Sequence, residues 1–177
     1  MARVLVTRRI PGDGIERLRA AGHEVDVWPD SGPPSREALR ERVAEVEGLL
    51  CLLTDRVDAE LLAAAPRLRA IANYAVGSDN IDLEAARARR IPVGVTPGVL
   101  TDATADLAFA LLLAIARRLP EGEAAVRQGD WKTWGPEWLL GRDVHGGTLG
   151  IVGRGRIGDA VARRAEGFGM TVVHHGR

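Results

Sequence analysis

Six residues near the carboxyl end of the sequence have the spacing of a phosphate-binding turn. Leu149-Gly150-Ile151-Val152 is a short apolar run; Gly153-Arg154-Gly155-Arg156-Ile157-Gly158 follows, then a helical stretch and a second apolar run. In such a turn the first glycine makes the tight bend and the second lets the backbone approach a pyrophosphate. The third lets the helix pack closely on the strand. Free amides at the helix N-terminus then face the phosphates. The order of strand, turn, helix and strand predicts a dinucleotide site contacted by Gly153, Gly155, Arg156, Ile157 and Gly158. The competing reading is a turn with no ligand, because Gly141, Gly146, Gly147 and Gly150 show that glycine is common here.

The end of the second strand specifies the dinucleotide further. An acidic residue about 20 positions beyond the motif ordinarily binds the ribose hydroxyls of NAD, yet Met170-Thr-Val-Val-His-His-Gly-Arg177 contains no carboxylate. A guanidinium suits a 2'-phosphate, which a carboxylate would repel. Gly176 and Arg177, with His175 beside them, therefore point to NADP(H), with NAD(H) the alternative. The bland reading of Arg177 is a solvated chain end. His174 and His175 stand where the adenosine end of a cofactor belongs, so neither is read as a catalytic acid. His23 and His145 match no motif.

These residues have to be positioned by an ordinary globular frame. The 177 residues are 46% hydrophobic, enough for one or two cores. Basic and acidic side chains balance at 24 each, which gives no basic footprint for nucleic acid. The single cysteine, Cys51, lies in the apolar run Gly48-Leu-Leu-Cys-Leu-Leu53, so a buried thiol is expected rather than a disulfide or cysteine metal site. The amino-terminal apolar run is too short for a signal peptide, and the apolar run 107–116 is too short to span a bilayer. A cytoplasmic protein without membrane, nucleic-acid or metal partners is the resulting expectation.

Strand and helix signals alternate over the first hundred residues. Strands are expected at 4–6, 25–28, 49–53, 70–72 and 93–95, and helices at 14–21, 35–46, 59–65 and 83–90. Asp82 reads as an N-cap with Glu84 in the first turn. Five strands separated by four helices predict an α/β fold, a parallel sheet of flavodoxin-like layout. Thr96-Pro97-Gly98 breaks this pattern. A long amphipathic helix over about 101–119 follows, with Pro120 ending it or opening the next. Residues 128–147, rich in glycine and tryptophan, read as an irregular excursion. Two domains follow, 1–98 and 99–177.

The sequence also resembles a known family, the D-isomer-specific 2-hydroxyacid dehydrogenases, over its whole length. The resemblance rests on Asn73-Tyr-Ala-Val-Gly-Ser-Asp-Asn-Ile-Asp82, Thr96-Pro-Gly-Val-Leu-Thr-Asp-Ala-Thr-Ala-Asp106, Trp131-Lys-Thr-Trp-Gly-Pro-Glu-Trp138 and Gly150-Ile-Val-Gly-Arg-Gly-Arg-Ile-Gly158. The tryptophan-rich segment resembles the glyoxylate and hydroxypyruvate reductase branch. The resemblance implies a flavodoxin-like substrate domain followed by the start of a Rossmann domain. It also implies a substrate carboxylate held by amides at Val76 and Gly77, and Thr104 beside the nicotinamide half of the cofactor. Trp134 would belong to an arm through which two subunits embrace and would reach the partner's active site. Without the resemblance, Gly77 reads as a turn glycine supplying a positive φ, Thr104 as a hydroxyl bonded to its own helix, and the tryptophans as interface.

The implied reaction is reduction of a short 2-keto acid to a 2-hydroxy acid by NAD(P)H, with glyoxylate or hydroxypyruvate as substrate and a homodimer as the assembly. The arginine, glutamate and histidine that perform it in the family fall beyond Arg177, so no catalytic residue is assigned here and the sequence is expected to be part of a longer protein. Taken alone it is expected to expose apolar surface around Ile151, Val152, Val172 and Val173 and to associate. Other members act on phosphoglycerate, lactate, formate or phosphite. A nucleotide-sensing corepressor-like protein and an inactive fragment are the alternatives outside catalysis.

Overall fold

A computed structural model describes residues 1–176 and divides the chain into two units, Met1–Pro97 and Gly98–Arg177. The first unit contains β1 (Arg3–Val6), α1 (Gly14–Ala20), β2 (Glu24–Val27), α2 (Arg36–Val43), β3 (Gly48–Leu52), α3 (Ala59–Ala63), β4 (Ala70–Tyr74), α4 (Leu83–Ala88) and β5 (Val93–Gly94). All strand pairs are parallel and the order is β2-β1-β3-β4-β5, the flavodoxin-like arrangement.

The period-two alternation of the strands distributes their side chains between two faces. Val4 and Val6 face Ile15 of α1, with Leu18, Val25, Val27 and Leu50 half-buried around them. Leu5, Leu49, Cys51 and Ile71 point the other way, into a larger core with Leu39 and Val43 of α2, Leu61 and Leu62 of α3, and Ala86 of α4. The chain reverses its winding direction after β2, so right-handed crossovers leave α1 alone on one face and three helices on the other. The cap expected at Asp82 is present, and Ser35 and Asp58 cap their helices in the same way. Ser35, Asp58 and Asp82 each accept a bond from a backbone amide three residues on, Asp82 from Ala85 at 2.9 Å.

The second unit contains α5 (Thr101–Ala116), α6 (Leu119–Gln128), β6 (Thr148–Val152), α7 (Arg156–Glu166) and β7 (Thr171–His175). β6 and β7 pair in parallel from Thr148↔Thr171 to Val152↔His175. α7 packs on α5 through Arg164, whose Nε donates to Asp106 at 2.6 Å, and Phe168, just beyond the end of α7, stacks on Phe109 of α5 with ring centroids 5.2 Å apart.

Three expectations are corrected here. The helix expected over 101–119 stops at Ala116: the amide of Arg142 donates to the Ala116 carbonyl at 2.7 Å, and Arg118 turns left-handed at φ 53. Pro120 therefore opens α6, where its missing N–H leaves no bond unmade. Nor is α5 apolar on one side only, since Leu107, Leu111 and Ile115 are all more than half exposed while Ala105 and Phe109 are buried. Lastly, Ile151 is buried because α7 approaches it closely at Gly158; of the four residues expected to be exposed, Val152 and Val173 are, and Val172 is half-buried. No helix among the described residues is long and apolar enough to cross a membrane.

Candidate functional site

In the second unit, the glycine turn joins β6 to α7 and each glycine has a distinct physical reason. Gly153 has φ +84, the left-handed region open chiefly to glycine. Gly155 caps α7 in extended conformation, and a Cβ built on it would meet nothing within 4 Å, so the turn presents a bare backbone surface. At Gly158 a Cβ would sit 2.7 Å from the Gly153 carbonyl oxygen and 3.3 Å from Ile151, so only glycine lets helix and strand approach this closely. The first helical bond runs from the Asp159 amide to the Gly155 carbonyl at 2.8 Å. The amides of Arg156, Ile157 and Gly158 precede that bond and lack helical acceptors. Such a cradle fits an anionic pyrophosphate.

Gly176, at φ +139, lies against this turn: a Cβ there would stand 3.4 Å from both Cα and N of Gly153, and the Gly153 amide donates to the His175 carbonyl at 2.8 Å. The structure thus brings Gly153, Gly155, Arg156, Ile157, Gly158 and Gly176 together; Arg177 lies outside the described residues. Thr104, half-buried in the first turn of α5, and Trp134, 77% exposed in the irregular segment, sit on other elements of the same unit.

In the first unit, Val76 and Gly77 lie in the loop leaving the carboxyl end of β4, and both are exposed. The Ala75 carbonyl accepts from the Thr96 amide at 2.8 Å and the Thr96 hydroxyl at 3.0 Å, while Asn73 Nδ2 donates to the Gly77 carbonyl at 2.9 Å. With those carbonyls held, the amides of Val76 and Gly77 have no protein acceptor among the described residues. Gly77 is not in the left-handed region, so its glycine is not explained by a positive φ.

Sequence reasoning missed the buried polar network behind this loop. Asn73 is 2% exposed and also donates to Asn80 Oδ1 at 2.9 Å; Asn80 donates in turn to the carbonyls of Leu52 and Asp55 at 3.1 and 2.9 Å. Asp55, 4% exposed, accepts from the Thr7 hydroxyl at 2.5 Å and the Leu52 amide at 2.7 Å, and Arg8 bonds Thr54. Of these, the Thr7–Asp55 bond joins the carboxyl ends of β1 and β3, where the winding reverses. Asn73 and Asn80 were visible as the two amide residues of one motif, whereas Thr7 and Asp55 are 48 residues apart and carried no local signal. Cys51 contacts Asn73 at 3.5 Å; burial, reinforced by the Asp55 charge, pushes its thiol up to about 12. That thiol is core, not nucleophile.

Residues 4–171 match the family model described as D-isomer specific 2-hydroxyacid dehydrogenase, catalytic domain. The chain is 54% identical to a glyoxylate reductase of Thermococcus kodakarensis, covering 99% of this chain and 54% of that protein. It is 55% identical to a glyoxylate reductase of Korarchaeum cryptofilum, covering 98% and 52%. The crystal structure of the TT0316 protein from Thermus thermophilus superposes with a TM-score of 0.94 at 55% identity, covering 99% of this chain and 56% of that one. The chain therefore spans about half the length of the curated relatives it matches.

Proposed function

The chain belongs to the D-isomer-specific 2-hydroxyacid dehydrogenase family, and we propose that the protein containing it reduces glyoxylate or hydroxypyruvate to glycolate or D-glycerate with NAD(P)H. What carries this reading is similarity to glyoxylate reductases across both units, so that the amide loop and the glycine turn are covered together. Each of these two loops suits one anion. The Val76 and Gly77 amides bind the substrate carboxylate through backbone dipoles, and the Asn73 bond to the Gly77 carbonyl keeps that loop in place. The turn from Gly153 to Gly158 cradles the cofactor pyrophosphate, Thr104 contacts the nicotinamide half, and Gly176 with Arg177 takes the adenosine ribose. The cofactor supplies hydride when bound. No residue of this chain is assigned as the proton donor or as the guanidinium that would hold the carbonyl.

NADP is the preferred cofactor in this reading, because the strand end at Gly176 carries no carboxylate to bind ribose hydroxyls or repel a 2'-phosphate. A second copy of the chain covers the exposed apolar stripe of α5, where Leu107, Leu111 and Ile115 recur every fourth residue and are all more than half exposed. The exposed Trp131, Trp134 and Trp138 join the same interface, with Trp134 reaching the partner's substrate. A cytoplasmic homodimer results. Steady-state assays of the full-length protein on glyoxylate, hydroxypyruvate, phosphohydroxypyruvate and pyruvate, each with NADPH and NADH, test the proposal. Highest kcat/KM on glyoxylate or hydroxypyruvate with NADPH is expected; a preference for another keto acid would overturn the substrate assignment, and a preference for NADH the cofactor assignment.

A further inference from the structure

The glycine turn carries a charged side chain that the fold does not require. Arg154 occupies the position between the first two glycines, where backbone geometry alone would accept almost any residue. Its Nε donates to Asp159 Oδ1 at 2.8 Å, and its Nη1 stands 3.4 Å from His174 Nδ1. The side chain therefore reaches from the turn across to β7, just before the strand end at Gly176 that lies against Gly153. It does not serve the core, since it remains 39% exposed and both of its partners are exposed.

A guanidinium fixed at this point faces a definite chemistry. Asp159 lies in the first turn of α7 and His174 near the end of β7, so the planar fork is held between the pyrophosphate cradle and the adenosine end of the site. Arginine matches phosphate oxygens in two-point geometry, whereas a ribose hydroxyl gains little from a cation. The group that gains from the cation is the one on the phosphorylated ribose. A carboxylate at the strand end would have opposed it, and Gly176 leaves that position uncharged.

We propose that Arg154 is a specificity-determining residue that binds the 2'-phosphate of NADP, positioned for it by Asp159 and His174. This rests on the reading of the turn as a dinucleotide site with NADP preference. Calorimetric titration of the full-length protein with 2',5'-ADP and with 5'-AMP tests it without catalysis, using the wild type, Arg154→Leu and Arg154→Lys. The wild type should bind 2',5'-ADP at least about tenfold more tightly than AMP, the size of one charge-assisted bond. Arg154→Leu should abolish that preference by weakening 2',5'-ADP alone, and Arg154→Lys should restore part of it.

Equal loss of both ligands in Arg154→Leu would make Arg154 a prop for the turn and overturn the proposal, as would an unchanged preference. A wild type that binds AMP as well as 2',5'-ADP would overturn the NADP reading itself, and this proposal with it. A wild type that binds neither would overturn the dinucleotide reading.

Discussion

Gly155→Ala and Gly158→Ala separate two roles that sequence spacing presents as one. A Cβ at position 158 would lie 2.7 Å from a backbone oxygen, more than half an ångström inside ordinary contact, and a backbone atom cannot swing aside. Alanine favours a helix over glycine by about 1 kcal/mol, so propensity alone predicts that Gly158→Ala stabilises the protein. Overpacking against a fixed backbone costs about 1–3 kcal/mol. With Ile151 also at 3.3 Å, the upper part of that range applies and the net expectation is a loss of about 1–2 kcal/mol. Gly155→Ala meets nothing within 4 Å and has φ −90, an angle any residue adopts. Its stability should stay within about 1 kcal/mol of wild type, because the weaker N-cap and the stiffer unfolded chain oppose each other. Its methyl group nevertheless occupies the surface offered to the pyrophosphate, and NADPH affinity should fall at least about tenfold. Urea unfolding followed by circular dichroism and NADPH fluorescence titration of the full-length variants read the two effects. A Gly158→Ala protein more stable than wild type would refute the packing argument, and undiminished NADPH binding by Gly155→Ala would refute the cradle.

Other perturbations test the first unit. Asn73→Ala removes bonds to Gly77 and Asn80 and should cost about 2 kcal/mol in urea unfolding, while raising KM for the keto acid more than it lowers kcat; unchanged kinetics would detach the network from the site. Hydrogen bonds from Arg36, and then from the Leu61 amide, hold the Asp58 carboxyl below its usual range. That contribution is present above the ordinary carboxylate pKa and is lost as pH falls through the lowered value. Arg36→Met should therefore lower the urea midpoint at neutral pH, with the difference from wild type vanishing in strong acid; a difference that persists there would locate the effect elsewhere. With its thiol pushed up to about 12 and no exposure, Cys51 should resist iodoacetamide in the native protein at mildly alkaline pH and react only on unfolding, as mass spectrometry would record.

What was legible in the sequence is what local chemistry encodes. The alternation of apolar runs located all five strands of the first sheet, Asp82 announced its helix, and the spacing of Gly153, Gly155 and Gly158 announced the turn. Contacts between distant residues had no such signature. Thr7, Asp55 and Asn80 look ordinary one by one, and only the parallel register of β1, β3 and β4 brings them together behind the Val76 loop. The end of α5 escaped for the same reason, since its last carbonyl is met by the amide of Arg142, on a segment without periodicity. Arg154 was visible as a letter between two glycines, but its reach to His174 depends on where β7 lies beside the turn.

The two units differ in how completely they bury what they fold, and this predicts how each behaves alone. In the first, five strands are covered on one face by three helices, and Leu5, Val43, Val46, Leu49, Leu61 and Leu62 are all within 2% of full burial. The second has a two-stranded sheet, a size that is marginal without further strands, and leaves Val152 88% and Val173 51% exposed. The stacked Phe109 and Phe168 and the Arg164 bonds tie α7 and the turn after it to α5, but among the described residues the outer strand faces have no such partners. Burial of apolar area is the main favourable term, so residues 1–97 alone should unfold in one sharp urea transition as a monomer. Residues 98–177 alone should bind a hydrophobic dye, melt without cooperativity and self-associate in sedimentation. A monomeric, cooperatively unfolding 98–177 would mean that the packing of α5 on α7 suffices, and that the exposed faces of Val152 and Val173 are solvated surface rather than sites for further strands and helices.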